Sequence, residues 1–464
     1  MRRFETLLLS IELFAVAWPA VFGVRPRRGI VTLLLALSTL AQIQWEGFRW
    51  QMIPLYVVAL GLAVGDIVFL DRRLEWKNRI ARGVFGIAGL ALAASLPVVL
   101  PVPVLPEPSG PETIGTVTVE LVDIDREEIY GENPGGPRRF VVQIFYPARP
   151  VEGVDPAPWS EDLEVVAPAL AELLGFPSWF LDHTRYVKTH SYPSLPIADG
   201  SFPVVIYSHG WTGFRTVALN QMEALASSGY IVIAIDHTYG SVATKLGDEV
   251  IRWDPAALPE REEVGDKAYF ESAARLIDTY TKDIIAVLDA LEEGDTGPLA
   301  LLAGRADLNR IGIYGHSTGG GAAITVCLMD ERCKAVLGMD PWVEPLPERI
   351  LQFSATRPAL YMRSDGWRGT PNDAILRGIA GRSETITYWL GINGAGHNDF
   401  VVTPLFSPFA SALGLKGPIP AGRVLPIIDN YLLGFFDVFL LDAGPAALDA
   451  VSFEEVSVEV IDPR

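Results

Sequence analysis

The first quarter of the chain is a series of apolar stretches separated by short polar loops. Four stretches each approach the roughly 20 residues that a helix needs to cross a bilayer core, and they cover residues 6–24, 29–45, 51–70 and 83–101. No small-residue cleavage site closes the first stretch, so a retained span explains it better than a signal peptide. We therefore predict an all-α transmembrane region of about four helices at 1–106, followed by a Pro-rich linker at 107–114.

The loops between these stretches predict an orientation. Basic residues concentrate in the first and third loops, which carry Arg25, Arg27, Arg28, Arg72, Arg73, Lys77, Arg79 and Arg82, whereas the opposite side has Arg2, Arg3 and Arg49. Because loops rich in Lys and Arg stay in the cytoplasm, the first and third loops are predicted to be inside. The chain is then a multi-pass cell-membrane protein, and everything after residue 106 is extracytoplasmic.

The hydrophobic pattern changes after about residue 115. Short apolar runs predict strands at 116–122, 140–146, 203–210, 230–236, 310–317, 335–340, 359–364 and 385–392. Stretches typical of helices separate most of them, at 215–228, 265–292, 318–329 and 371–380, with a last one at 424–442. Alternating helices and continuous apolar strands indicate an α/β fold, a mostly parallel sheet covered by helices on both faces. We assign residues 115–464 to this domain.

Charge and motif content exclude several classes of function. Residues 1–106 contain eleven basic and six acidic residues, so the acidic excess behind the net charge of −19 lies in the remainder of the chain. An acidic surface of this kind does not suit nucleic acid. The chain has neither a Walker loop nor an EF-hand loop nor an H-E-x-x-H motif, so a nucleotide or metal cofactor is not expected. Cys327 and Cys333 either form a local disulfide or are core thiols.

A serine lies between glycines directly after a predicted strand. Residues 314–323 read YGHSTGGGAA, and Ser317 occupies the centre of a G-x-S-x-G motif, which in a strand–turn–helix context presents a nucleophile. Ligands of parallel sheets bind beyond the carboxyl ends of the strands, which is where Ser317 is expected. Its glycine-rich surroundings fit a tight elbow better than a phosphate cradle, because no lysine partner follows.

A serine nucleophile needs a base, an acid and oxyanion donors. The order Ser–acid–His along the chain selects His397, the one histidine that follows Ser317. Asp340 and Asp365 each follow a predicted strand, and spacing alone does not choose between them. The backbone N–H groups of Thr318 and of Trp211, in the loop SHGWTGF, are the predicted oxyanion donors. The pocket wall has four aromatic candidates, Trp179, Phe180, Trp342 and Trp367.

Several segments together resemble the plasma and bacterial type of platelet-activating-factor acetylhydrolases. These are the segment from YSHGWTGF to SVATKL, GHSTGG, MDPWVEPLPE and GAGHNDF, within roughly residues 115–440. The resemblance implies an α/β-hydrolase fold and cofactor-free hydrolysis of short or oxidised acyl chains from phospholipids. It also implies that Ser317, Asp340 and His397 form the triad, with Trp211 and Thr318 as backbone donors.

Departures from the family pattern leave alternatives open. Thr318 stands where animal members carry an aromatic residue, and Trp211 replaces a smaller one, so the acyl pocket is expected to differ. The glycine run and Asp365 are also similar to polyester-cleaving cutinases, in which the acid follows a later strand. Another acyl transfer on the same triad, by a peptidase or an acyltransferase, is a second alternative. A third is a non-catalytic sensor or transporter whose hydrolase-like domain binds a ligand, for which Glu12 and Asp66 within the predicted spans are the support. The main hypothesis is a membrane-anchored serine esterase acting on short-chain acyl esters of lipids.

Overall fold

The computed structural model describes residues 1–68 and 76–463, which form two compact units. One unit comprises Met1–Val104 together with the short segments Asp182–Val187 and Leu405–Ala410. The other comprises Leu105–Leu181, Lys188–Pro404 and Ser411–Arg464. The domain boundary at residue 106 stays a prediction.

The described part of the N-terminal unit contains four apolar helices, α1 (Arg3–Phe22), α2 (Ile30–Glu46), α3 (Ile53–Val68) and α4 (Trp76–Val99). Within the described residues, three helical segments are long and apolar enough to cross a membrane: Arg3–Phe22, Trp50–Val68 and Asn78–Val99. The second helix has 17 residues and falls short of that length. Residues 69 and 70 of the predicted third span, and Arg72 and Arg73 of the third loop, lie outside the described residues.

The larger unit is built on a sheet whose ten described strands run in the order β12-β11-β10-β9-β8-β4-β5-β2-β1-β3. A separate hairpin consists of β6 and β7. The strands are β1 (Thr113–Glu127), β2 (Pro137–Ala148), β3 (Ser191–Pro193), β4 (Phe202–Ser208), β5 (Ile231–Asp236), β6 (Ala243–Leu246), β7 (Glu249–Arg252), β8 (Ala306–His316), β9 (Cys333–Met339), β10 (Ala359–Arg363), β11 (Thr387–Ile392) and β12 (Val456–Ile461).

The neighbouring strands β5, β4, β8, β9, β10 and β11 pair in parallel. At the two ends of this group, β2 pairs antiparallel with β5 and β12 pairs antiparallel with β11. Eight helices accompany them: α5 (Leu163–Leu173), α6 (Leu219–Ser227), α7 (Arg261–Glu292), α8 (Thr318–Met329), α9 (Glu348–Leu351), α10 (Pro371–Ala380), α11 (Ala421–Leu440) and α12 (Ala446–Asp449). This is the predicted architecture, a mostly parallel sheet with helices in an α/β-hydrolase arrangement, preceded by apolar helices.

Helices cover both faces of the sheet. Successive strand residues point to opposite faces, and in β8 Ile313 joins the core cluster that contains residues of α7 and α8, whereas Tyr314 contacts Phe436 of α11. Both strand residues are fully buried. Because each face is covered, the strands read as continuous apolar runs, which is why the sequence pattern located them.

The structure adds elements that the apolar pattern did not predict. They include α5, the short helices α9 and α12, the short strand β3, the β6–β7 hairpin and the edge strand β12. β1 also begins at Thr113, inside the predicted linker. Cys327, in α8, and Cys333, at the start of β9, form a disulfide, which is one of the two alternatives left open by the sequence.

Candidate active site

Ser317 lies in a tight turn between β8 and α8. Its backbone has φ 55° and ψ −119°, in the region where side chains other than glycine are strained. The turn is held by backbone hydrogen bonds: the Ser317 N–H donates to Met339 O at 3.0 Å, and its carbonyl accepts from Trp342 N at 2.8 Å. These contacts tie the turn to the end of β9, where Asp340 lies.

Close backbone approach explains the glycines of the motif. A Cβ atom on Gly315 would lie 2.4 Å from the carbonyl oxygen of Gly319, and one on Gly319 would lie 2.2 Å from that of Ser208. A side chain at either position would therefore displace backbone atoms of the turn or of β4. The glycine run accordingly serves the elbow, as the sequence analysis expected, and brings Ser317 beside the end of β4.

Asp340 and His397 contact each other at the carboxyl edge of the sheet. His397, which follows β11, has its Nδ1 atom 3.0 Å from Oδ2 of Asp340. The Asp340 carboxylate is fully buried and also accepts hydrogen bonds from the backbone N–H and the hydroxyl of Ser364, at 2.8 and 2.6 Å. Three donors thus hold the Asp340 carboxylate. The sequence pattern did not indicate that Ser364 donates two of these hydrogen bonds.

Asp365, the alternative acid, faces elsewhere. Its carboxylate accepts from the backbone N–H of Gly394 at 2.7 Å and from the guanidinium of Arg368. Its side chain is half exposed. Asp365 therefore braces the loop that leads to His397, and the carboxylate that contacts the imidazole belongs to Asp340.

Two aromatic rings pack against the His397 ring. Trp367 stacks on it with ring centroids 4.6 Å apart and an interplanar angle of 8°. The second ring is that of His316, at the end of β8, whose centroid lies 4.4 Å from that of His397. Nε2 of His316 lies 2.9 Å from the carbonyl oxygen of His397, and because a carbonyl oxygen can only accept, this nitrogen donates. Burial lowers the pKa of His316 well below its usual value, so it is a neutral packing partner.

The loop after β4 brings Trp211 to the elbow. A Cβ atom on the neighbouring Gly210 would lie 3.1 Å from Cβ of Ser317. The Gly210 carbonyl accepts from the N–H of Gly213 at 2.9 Å and contacts Nδ1 of His209 at 2.7 Å. The peptide that carries the Trp211 N–H is therefore held at its carbonyl end by two contacts.

The contacts of His209 define its tautomer. Its Nε2 atom receives the backbone N–H of His237 at 3.3 Å, and a nitrogen that accepts carries no proton. The proton is consequently on Nδ1 and is donated to Gly210 O. Burial lowers the pKa of His209, which keeps the ring neutral. No pattern in the sequence signalled this contact between the His209 ring and the loop of Trp211.

Explicit contacts join His397 to Asp340, tie the backbone of Ser317 to the end of β9, and place the loop of Trp211 beside the turn, while Thr318 directly follows Ser317 as the first residue of α8. A hydrogen bond between the Ser317 hydroxyl and His397 stays a prediction. Among residues 1–68 and 76–463, the structure has no group of three His, Cys, Asp or Glu side chains arranged to hold a metal ion.

Comparisons with known proteins identify the family of the chain. The family model of platelet-activating factor acetylhydrolase, isoform II, matches residues 105–440. A platelet-activating factor acetylhydrolase from Cavia porcellus is 24% identical over 64% of this chain and 72% of its own length, and one from Gallus gallus is 21% identical over 52% and 62%. A probable 1-alkyl-2-acetylglycerophosphocholine esterase from Arthroderma benhamiae is 26% identical over 56% of this chain and 66% of its own length.

A solved structure extends the comparison to the fold. The ferulic acid esterase from Streptomyces cinnamoneus superimposes with a TM-score of 0.62 and 25% identity, covering 77% of this chain and 99% of that one. This chain spans between 62% and 72% of the length of the three curated relatives named above. The chain belongs to the platelet-activating factor acetylhydrolase, isoform II, family of carboxylic ester hydrolases.

Proposed function

We propose that the chain is a membrane-anchored serine esterase that hydrolyses short-chain acyl esters of lipids through Ser317, His397 and Asp340. The observation that carries the proposal is the 3.0 Å contact between His397 Nδ1 and Asp340 Oδ2, at the sheet edge where the strained elbow presents Ser317. A buried carboxylate at this nitrogen fixes the tautomer that leaves Nε2 free to accept the serine proton.

The reaction follows from these groups. Ser317 Oγ attacks the ester carbonyl carbon while His397 Nε2 takes the serine proton. The resulting oxyanion accepts hydrogen bonds from the backbone N–H groups of Thr318 and Trp211. Collapse of this intermediate breaks the bond to the alcohol, which leaves with the proton from His397. Water then attacks the acyl-enzyme with His397 again as base, releasing the acid and restoring the serine.

The preference for short acyl chains rests on family membership and on the bulky rings near the elbow. Trp367 covers one side of the imidazole, and Trp211 packs edge-on against Trp253 with centroids 5.8 Å apart. Large side chains at these places restrict the length of an acyl chain beside Ser317. A lipid alcohol suits an enzyme whose N-terminal helices hold it at a membrane, because anchoring raises the effective concentration of substrate.

An extracytoplasmic location is supported by two independent features. The described loop between α1 and α2 carries Arg25, Arg27 and Arg28, which favours the cytoplasm for that end of the helices. The disulfide between Cys327 and Cys333 fits an oxidising compartment for the hydrolase domain. Alkaline carbonate should fail to extract the chain from membranes, and protease added to intact cells should degrade the hydrolase domain.

The activity is tested with p-nitrophenyl acetate, butyrate and octanoate and with a fluorophosphonate probe. Ser317→Ala should abolish both hydrolysis and labelling. Asp340→Asn should lower kcat by about 10⁴-fold, whereas the matched Asp365→Asn should retain most activity, because Asp365 contacts Gly394 and Arg368 instead of the imidazole. Loss of activity in Asp365→Asn with activity retained in Asp340→Asn would refute the assignment.

Two alternatives give different outcomes in the same assays. A polyester-cleaving enzyme should release acid from polyester films faster than from a 2-acetyl glycerophospholipid. If the chain is a non-catalytic sensor or transporter, a fluorophosphonate should label neither the full chain nor the folded hydrolase domain. Asp66, which would support the latter, accepts from the backbone N–H groups of Gly29 and Thr32 at 2.9 and 3.2 Å, a helix-capping part that explains it without transport.

A further inference from the structure

His397 begins a short turn that follows β11, and the backbone of this turn is held from two sides. The carbonyl of His397 accepts from Nε2 of His316 at 2.9 Å. The N–H of the preceding residue, Gly396, donates to Oδ2 of Asp399 at 2.7 Å. Asp399 is fully buried, so a buried carboxylate two residues after the predicted base holds the entry to its turn.

The same carboxylate oxygen holds a second segment. This segment, residues 411–420, is irregular and leads into α11, and we call it the strap. Oδ2 of Asp399 accepts from the N–H of Gly417 in the strap at 2.7 Å. The N–H of Ile419 donates to the carbonyl of Gly394, which lies just before the turn, at 3.0 Å. The strap therefore lies along the turn of the base, and the carboxylate bridges the two.

Glycines allow the strap and the turn to touch. A Cβ atom on Gly396 would lie 2.6 Å from the backbone nitrogen of Gly417, and one on Gly417 would lie 2.2 Å from the carbonyl oxygen of Gly394. These are contacts between backbone atoms, which cannot move aside as a flexible side chain can. Asn398 adds an exposed contact by donating to the carbonyl of Leu415 at 3.2 Å. A displacement of the strap would therefore move the backbone of the turn.

Lys416 compensates the charge of Asp399. Its side chain is 6% exposed, and its Nζ atom lies 3.3 Å from Oδ1 of Asp399. The ammonium also donates to the carbonyls of Gly417, at 2.6 Å, and of Ile419. Burial raises the pKa of Asp399, whereas its two backbone donors and Lys416 favour the anion. Removal of the carboxylate would leave two N–H groups without an acceptor and a buried ammonium without a counter-ion, and both losses are costly.

We propose that Asp399 is a positioning residue for ester hydrolysis, which fixes the turn of His397 against the strap while Lys416 balances its charge. The inference rests on the proposed function, because it takes His397 as the base. The contact with Asp340 sets the orientation of the imidazole, but the reach of Nε2 to Ser317 depends on the position of the turn. A base must lie within hydrogen-bond distance of the proton that it takes, and a displacement of about 1 Å can cost about 10²-fold in rate.

The test compares two neutral double variants of the full chain purified in detergent, so that no buried charge is left unpaired. Asp399→Ala/Lys416→Gln lacks the acceptor, and its kcat for p-nitrophenyl butyrate should fall about 10- to 100-fold with KM changed by less than about twofold. In Asp399→Asn/Lys416→Gln the amide oxygen can still accept from Gly396 and Gly417, so kcat should stay within about threefold of wild type. The matched control Asn398→Ala removes an exposed contact between the same turn and the strap and should change kcat by less than about twofold.

Thermal unfolding of the same preparations shows which variants are folded. Equal losses of kcat in the two folded double variants, a loss confined to KM, or full kcat in the alanine double variant would overturn the inference. If the alanine double variant does not fold, Asp399→Asn decides: the unfolding temperature should fall because Lys416 lacks its counter-ion, and a kcat reduced by more than about threefold would overturn the inference. Fluorophosphonate labelling separates the two proposals. A wild type that neither labels nor hydrolyses refutes the proposed function, whereas an active wild type with full kcat in the folded alanine double variant refutes the positioning role alone.

Discussion

Replacement of His209 tests the assignment of the Trp211 N–H as an oxyanion donor. His209 donates from Nδ1 to the carbonyl of Gly210, which belongs to the same peptide group as that N–H. The imidazole touches no reacting atom, so its effect acts through the orientation of this peptide. His209→Leu removes the donor at similar volume, whereas in His209→Asn the amide nitrogen can take the place of Nδ1.

The magnitude follows from the two donors on Gly210 O. One of them, the N–H of Gly213 at 2.9 Å, remains in the leucine variant. Loss of a neutral hydrogen bond removes about 1 kcal/mol, which is about fivefold, and loss of the whole oxyanion donor would cost about 10²–10³-fold. We therefore expect kcat to fall between about 5- and 100-fold in His209→Leu, with KM changed by less than about twofold, because the contact strengthens in the transition state.

The assay is steady-state hydrolysis of p-nitrophenyl butyrate, with thermal unfolding measured in parallel. His209→Asn should recover most of kcat. Ser241→Ala is a control, since Ser241 contacts Nε2 of His209 at 2.8 Å and its loss leaves the Nδ1 donor in place. Burial lowers the pKa of His209, so the ring is neutral above about pH 7 and the effect should not vary there. Equal losses in folded asparagine and leucine variants, or a change confined to KM, would refute the reasoning.

Three further predictions concern neighbouring groups. Ser364→Ala removes the 2.6 Å hydroxyl contact to Asp340 and should lower kcat about tenfold at unchanged KM in the same esterase assay. Burial raises the pKa of Asp429 to about 7, so its contribution to stability is complete below about pH 4 and is lost as the pH rises through about 7. As the pH rises from about 4 to about 7, the unfolding free energy of Asp429→Asn should therefore increase relative to that of the wild type, by at most about 4 kcal/mol in denaturant titrations. Replacement of Cys327 and Cys333 by serine should lower the unfolding free energy by about 2 kcal/mol, and thiol titration of the unreduced, unfolded wild type should detect no thiol.

The parts of the fold that were predictable are those in which burial dictates composition. The helices at 318–329 and 371–380 match their predicted bounds, because the first directly follows the strand and Ser317, and the second begins at Pro371 and ends before Gly381. β12 escaped detection because its residues are mostly half-exposed or exposed and its sequence, VSVEVI, is short. Its place at the sheet edge depends on pairing with β11, which no local pattern encodes.

The choice between the two acids could not be made from spacing. Both follow parallel strands and reach the same edge, so each fits the chain order equally. What separates them is three-dimensional: Asp340 adopts φ 42° and accepts from Ser364, whereas Asp365 accepts from the N–H of Gly394. These contacts join loops distant in sequence, and only the family resemblance favoured Asp340 beforehand.

A second serine–histidine–aspartate arrangement lies inside the hydrolase domain. Nε2 of His237 is 2.8 Å from Oγ of Ser208, and its Nδ1 is 2.9 Å from Oδ2 of Asp283. All three side chains are fully buried, and the His237 ring stacks on Tyr280 with centroids 3.7 Å apart. Hydrogen-bond geometry alone therefore does not distinguish this cluster from a catalytic triad.

Charge and solvent access do distinguish it. A general base must become an imidazolium, but burial lowers the pKa of His237 to about 3, and the charge of Asp283 is taken up by Arg138 at 2.7 Å and by Arg126. His397, in contrast, is about one third exposed, and within the described residues Asp340 pairs with no lysine or arginine. The Asp340 carboxylate can therefore compensate the cation that forms at His397. Ser208 and His237 instead fix the end of β4, from which the chain enters the loop of His209 and Trp211.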